Sequence, residues 1–151
     1  MMRVHATCVS LSGIGVLLRG PSGAGKSDLA LRLVDGGALL VADDQVLLAA
    51  QGGRLLARPP RGLAGLLEVR GVGILPVPTV EEAPVLIVAD LVAPSEVERL
   101  PETDMREIAG IAVRHLRLAP FEASAPAKLR LAAATVAASL PFVPNSLAPM
   151  S

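Results

Sequence analysis

The chain has 151 residues, 52% of them apolar, and its fourteen Lys and Arg balance fourteen Asp and Glu for a formal charge of zero. That length is about one domain's worth with ample material for a core, and the balanced charge excludes the strong positive field that non-specific nucleic-acid binding requires. Two Phe with no Trp or Tyr leave no aromatic platform for single strands, so no nucleic acid is expected as a partner.

In chain order, Val4 to Leu18 is apolar but broken by His5, Thr7, Ser10, Ser12, Gly13 and Gly15, which argues against a signal peptide. Cys8 is the only cysteine; it excludes an internal disulfide, reads as a small core residue, and places the chain in the cytoplasm. Ile14 to Arg19 is a short apolar run that reads as a buried strand ending at Gly20, and from Lys26 the residues Leu29, Ala30, Leu33 and Val34 recur at helical spacing up to Gly36-Gly37. Leu39 to Ala42 is a second short strand closing on Asp43-Asp44, and Gln45 to Ala50 with Arg54 to Ala57 flank Gln51-Gly52-Gly53 as a hairpin.

Arg58 to Gly65, with Pro59-Pro60 and two glycines, reads as an exposed loop near the site, either a docking segment for a protein substrate or a plain connector. Leu66 to Val69 and Gly73 to Val77 read as strands around Arg70-Gly71-Val72, and Val85 to Val92 is the most strand-like run of all. Residues 81–107 hold eight acidic and two basic side chains, a net −6 between segments of +3 each, which reads as a solvated connection or a partner surface. Ser124 before Ala125-Pro126 predicts a helix N-cap, with Leu129, Ala132, Ala133, Val136 and Leu140 as one stripe and Pro141 as the stop. The apolar runs fall short of the roughly 18 residues of a membrane span, so no membrane is expected as a partner.

Gly20-Pro21-Ser22-Gly23-Ala24-Gly25-Lys26-Ser27 fits the phosphate-loop pattern G-x-x-x-x-G-K-[ST] at every fixed position, between a predicted strand and a predicted helix. Backbone N–H groups would surround phosphate oxygens, Lys26 would reach the β- and γ-phosphates, and the Ser27 hydroxyl would be a Mg²⁺ ligand. Asp43 and Asp44 end a strand at the edge where ligands bind in parallel sheets. Both can serve one site only if the chain bends there, leaving one as the catalytic group and the other on the metal or capping a turn. Glu68 and Arg70 would face one side of a strand, as an exposed ion pair or as site residues; His5 alone carries little.

Taken in order, Val4-His5, the phosphate loop, Leu40-Val41-Ala42-Asp43-Asp44 and Leu67-Glu68-Val69-Arg70-Gly71-Val72-Gly73-Ile74 resemble the catalytic domain of the HPr kinase/phosphorylase family. The resemblance implies an α/β phosphate-loop kinase fold, phosphoenolpyruvate carboxykinase-like, with a mixed sheet and few helices. It implies a protein-serine kinase that uses ATP or pyrophosphate with Mg²⁺ to phosphorylate an HPr-like phosphocarrier of the phosphotransferase system, and that reverses the reaction with inorganic phosphate. Asp43 would then be the catalytic base, Asp44 and Glu68 would assist the metal with Ser27, and His5, Lys26 and Arg70 would lie at the phosphates.

The expectation is a single catalytic domain over 1–151 without the N-terminal domain of the longer members. Pro120 to Lys128 resembles the short α-proteobacterial members and lacks the basic Pro-Gly-Arg loop that serves phosphorolysis and subunit contact in the long ones. Phosphorolysis, the oligomeric state and contacts with other phosphotransferase or sensor-kinase proteins are left open. The rival readings are a small-molecule phosphate-loop kinase, against which 151 residues leave little room for a lid, and a nucleotide-sensing binding module, against which both aspartates speak.

Overall fold

A computed structural model describes residues 1–140. In chain order it contains β1 (Met2–His5), β2 (Thr7–Leu11), β3 (Ile14–Arg19), α1 (Lys26–Asp35), β4 (Leu39–Ala42), β5 (Gln45–Gln51), β6 (Arg54–Arg58), β7 (Leu66–Val69), β8 (Gly73–Pro76), β9 (Ala83–Leu91), a 3-10 turn at Pro94–Glu96, β10 (Asp104–Ile108), β11 (Ile111–Leu118) and α2 (Ala125–Ala138). Nine strands form one sheet in the order β1-β5-β6-β9-β3-β2-β4, with β11 also on β9 and β10 beyond it, while β7 and β8 form a separate hairpin.

The sheet curls at β9. Its first residues, Ala83 and Pro84, pair antiparallel with β6, and its remainder runs parallel to β3 on one side and β11 on the other. This gives the central strands two covered faces and explains why β3 and β9 read as unbroken apolar runs. Val16, Leu18, Ile87 and Ala89 meet Leu29, Leu33 and Leu129 of the two helices. Leu17, Val85 and Val88 meet Cys8, Val46, Leu48 and Leu55 inside the curl. Gly15 stands where the Pro84 carbonyl comes too close for any Cβ.

The helix over Lys26–Asp35 ends at Gly36, as its apolar spacing predicts. The second helix differs in two details. Ser124 occupies the N-cap but makes no side-chain cap hydrogen bond, and the helix ends at Ala138, leaving Leu140 46% exposed outside the Leu129–Ala133 stripe. Pro141 lies outside the described residues. Burial pushes the Cys8 thiol up to about 12, in keeping with a core role. Among the described residues no helix is long and apolar enough to cross a membrane.

Four strands escape the sequence expectations: β1, β2, β10 and β11. Polar residues interrupt the first pair, and β10 (Asp-Met-Arg-Glu-Ile) has no apolar face because it is a charged edge strand, a common guard against edge-to-edge pairing. The acidic segment is a solvated connection only in its middle, where Glu96, Glu98 and Glu102 are exposed, while its two ends belong to β9 and β10. Asp90 accepts a fork from Arg19, Nε to Oδ1 at 2.8 Å and Nη2 to Oδ2 at 3.0 Å. Buried His115 stands 2.8 Å from Asp90 Oδ2 and 2.7 Å from Asp104 Oδ2.

Partial burial pushes the Asp90 carboxyl up, but its hydrogen bonds and charge contacts with Arg19 and His115 outweigh this and hold it below the usual range. The His115 and Arg106 hydrogen bonds lower Asp104 likewise. The unfolded chain therefore takes up these protons first on acidification. The stability they contribute is complete above the ordinary carboxylate pKa of about 3.9 and is lost as pH falls through the folded values. Urea midpoints measured between pH 5 and pH 3 should fall more steeply for the wild type than for the Asp90→Asn, Asp104→Asn double variant.

Candidate phosphate-binding active site

Because β9 and β11 run parallel to β3, and β2 lies antiparallel to both β3 and β4, the carboxyl ends of β3, β4, β9 and β11 share one edge of the sheet. The phosphate loop leaves β3 there and enters α1 at once. Gly25 caps the helix at φ +97°, and a Cβ on it would come 2.9 Å from the Phe121 ring, so the position needs glycine both for its backbone and for space. Ala24 N–H donates to Pro21 O at 3.0 Å. Lys26, 7% exposed, folds over the start of the loop and donates from Nζ to Gly20 O at 2.5 Å and Pro21 O at 3.1 Å. No side chain caps α1. The N–H groups of its first turn and the positive end of its dipole are left for an anion.

Asp43 sits behind that loop at the end of β4. Its Oδ1 accepts from Ser27 Oγ at 2.7 Å and Thr7 Oγ1 at 3.0 Å, and its Oδ2 accepts from Glu68 N–H at 3.1 Å. The chain then turns at Asp44, φ +69°, a bend of the kind two adjacent aspartates need if both are to face one site. Asp44 Oδ1 lies 3.3 Å from His5 Nδ1, both side chains about half exposed. Asp44 N–H reaches Thr7 Oγ1 at 3.4 Å.

A cleft of about 430 Å³ at the loop is lined by His5, Asp44, Glu68, Arg70 and Phe121 together with Ser22, Gly23, Gly25, Lys26 and Ser27 of the loop and helix start. Most of the residues nominated from the sequence therefore meet there. Asp43, behind the loop, does not line this cleft, Pro21 and Ala24 border a neighbouring apolar cleft, and Gly20 packs on Ala24 and Leu91. Glu68 is on β7 and Arg70 in the turn after it, and neither joins any ion pair among the described residues. The 58–65 loop does not line this cleft, and Arg58 is engaged with Glu82.

Two residues of the site escaped sequence reasoning. Thr7, fully buried, lies in a strand with no motif around it. Phe121, 70% exposed, is the only aromatic among the described residues, and that rarity was the available signal.

Among the described residues no three or more His, Cys, Asp or Glu are grouped to hold a metal by themselves. The donors near the loop are a hydroxyl and carboxylates, hard oxygens suited to a small divalent cation that takes its other ligands from phosphate and water.

A curled mixed sheet with two helices and a phosphate loop at the carboxyl end of a central strand defines a phosphate-loop domain of the phosphoenolpyruvate carboxykinase-like fold. Residues 1–136 match the family described as HPr Serine kinase C-terminal domain, and the chain belongs to that family. A solved structure described as the Hpr(Ser) kinase/phosphatase from Coxiella burnetii superposes with a TM-score of 0.75 at 28% identity, covering 91% of this chain and 95% of that one.

Among curated relatives, an HPr kinase/phosphorylase of Clostridium beijerinckii is 48% identical over 77 residues, 51% of this chain and 26% of the relative. One of Mycoplasmopsis pulmonis is 43% identical over 74 residues, 49% of this chain and 24% of the relative. The chain thus spans about a quarter of the length of the curated relatives it matches.

Thr7→Val keeps the shape of a fully buried side chain but removes one donor to Asp43 and the acceptor facing Asp44 N–H. Chemical denaturation should show a loss of about 1–3 kcal/mol, the cost of leaving buried polar groups unpaired. A smaller loss would mean that the threonine packs rather than positions.

Proposed function

We propose that this domain is an ATP- and Mg²⁺-dependent protein-serine kinase acting on an HPr-like phosphocarrier. The observation that carries this reading is the pair of adjacent carboxylates that the turn at Asp44 divides between the phosphate loop and the open cleft. Family membership and the names of the relatives support it. A phosphate loop needs only one carboxylate for its cation; a second one facing the cleft suits an acceptor hydroxyl.

The geometry favours an exchange of the roles expected for the two aspartates. Asp43 is engaged by three donors, one of them the loop serine, which suits the cation end of the site together with Ser27. Asp44 lines the cleft with only His5 against its carboxylate, at 3.3 Å, and faces the space an incoming hydroxyl would enter.

In this reading Asp44 accepts the proton of the acceptor serine as its Oγ attacks the γ-phosphorus and ADP leaves. In phosphorolysis an oxygen of inorganic phosphate attacks the phosphoserine phosphorus, pyrophosphate forms, and the proton returns from Asp44 to the serine. Bound Mg²⁺ would neutralise charge on the β- and γ-phosphates, held by Ser27 with Asp43 and Glu68 nearby. Lys26, swung from the loop carbonyls onto the phosphates, and Arg70 at the rim would add positive charge where the transferred group carries negative charge. The family's setting makes the cytoplasm the proposed compartment.

The test is incubation of the purified chain with labelled ATP and HPr-like phosphocarriers, where label on a serine is the expected result and its absence with every carrier overturns the assignment. Lys26→Ala should weaken Mg-ATP binding at least about tenfold by calorimetry, near 1.4 kcal/mol. Asp44→Asn should still bind Mg-ATP while its transfer rate drops by about 10² or more. If Asp43→Asn shows that separation of binding from transfer and Asp44→Asn does not, Asp43 is the base.

A further inference from the structure

The phosphate loop has a second cleft on its other side. About 700 Å³ in volume, it is walled by Pro21, Ala24, Leu91, Val92, Ala119 and Phe121. It opens at the carboxyl ends of β9, which pairs with β3 on the side away from β4, and of β11 on the other side of β9. Two acidic residues border it, and both are engaged: Glu96 Oε2 accepts from Ala93 N–H at 3.3 Å and Glu122 Oε1 from Lys128 Nζ at 3.1 Å.

Such a wall repels phosphate but suits a flat apolar ring, and its volume lies within the usual range for small-ligand sites. Phe121 belongs to both clefts, so a molecule whose charged tail lies on the loop can place its other end here. The segment that carries Phe121 is held in place: Arg32 of α1 donates to the Pro120 carbonyl and, at 3.3 Å, to the Glu122 carbonyl.

We propose that this apolar cleft is the nucleobase subsite, with the exposed Phe121 ring as the face on which a purine of a nucleoside triphosphate stacks. The inference rests on the phosphate-loop reading of residues 20–27 and adds to it the part of the donor that carries no phosphate. With the neighbouring carboxylates occupied, recognition is by shape and stacking rather than by a hydrogen-bond code. The rest of the described chain has no aromatic that could replace Phe121.

Calorimetry on the full chain with Mg²⁺, comparing ATP with inorganic tripolyphosphate, tests it. Wild-type protein should bind ATP more tightly than tripolyphosphate. Phe121→Ala, at a position 70% exposed and therefore safe for folding, should lower ATP affinity at least about fivefold and leave tripolyphosphate within about twofold. Ala93→Trp, which fills the same cleft from an exposed position away from the loop, should do the same.

Unchanged ATP affinity in both variants overturns the subsite, as does an equal loss for both ligands in Phe121→Ala, which would make the ring a prop for Gly25. Tripolyphosphate binding with no advantage for ATP overturns the subsite alone. Failure of the wild type to bind either ligand overturns the phosphate-loop reading as well.

Discussion

The Asp43 carboxylate ties together segments that lie far apart in the chain. One oxygen is shared by the Ser27 and Thr7 hydroxyls and the other takes the Glu68 amide, so β2, β4, α1 and β7 meet at a single group. Hydrogen bonds to an ionised acceptor are the stronger kind, and three donors offset much of the cost of drawing a carboxylate from water. The β7–β8 hairpin stands outside the main sheet, and this contact, with the packing of Leu67 in the helix-side core, holds Glu68 and Arg70 over the cleft.

On the opposite side of the phosphate loop the Arg19–Asp90 fork has a comparable part. Arg19 is the last residue of β3, and joining it to β9 through two parallel N–H···O bonds fixes the strand end from which the loop springs. His115 extends that contact to Asp104 and the edge strand. The loop is thus braced by Asp43 on one flank and by Asp90 on the other, which keeps its amides oriented before any ligand arrives and limits the reorganisation needed on binding.

Two clefts of unlike character result, one charged and rimmed by His5, Asp44, Glu68 and Arg70, the other apolar, with Phe121 between them. A molecule with a polyanionic tail and a flat apolar head matches that division. Val72 and Ile74 of the β7–β8 hairpin are exposed. The 58–65 loop lies outside the charged cleft.

Local features were legible in the sequence because they depend on neighbours in the chain: the phosphate loop, the helix from Lys26 to the Gly36 stop, the apolar runs of β3 and β9, and the Asp43-Asp44 turn. The order of the motifs identified the family, since each short segment had to retain its chemistry at its own spacing. What the linear chain could not show was set by contacts over long separations. Thr7 reaches Asp43 across 36 positions, and Arg19 meets Asp90 across 71. The charged strand β10 has no apolar period of its own and forms because β11 is beside it. Which of two adjacent aspartates turns to the loop and which to the cleft depends on one positive φ at Asp44, a backbone choice imposed by the strands on either side and by the donors that capture Asp43.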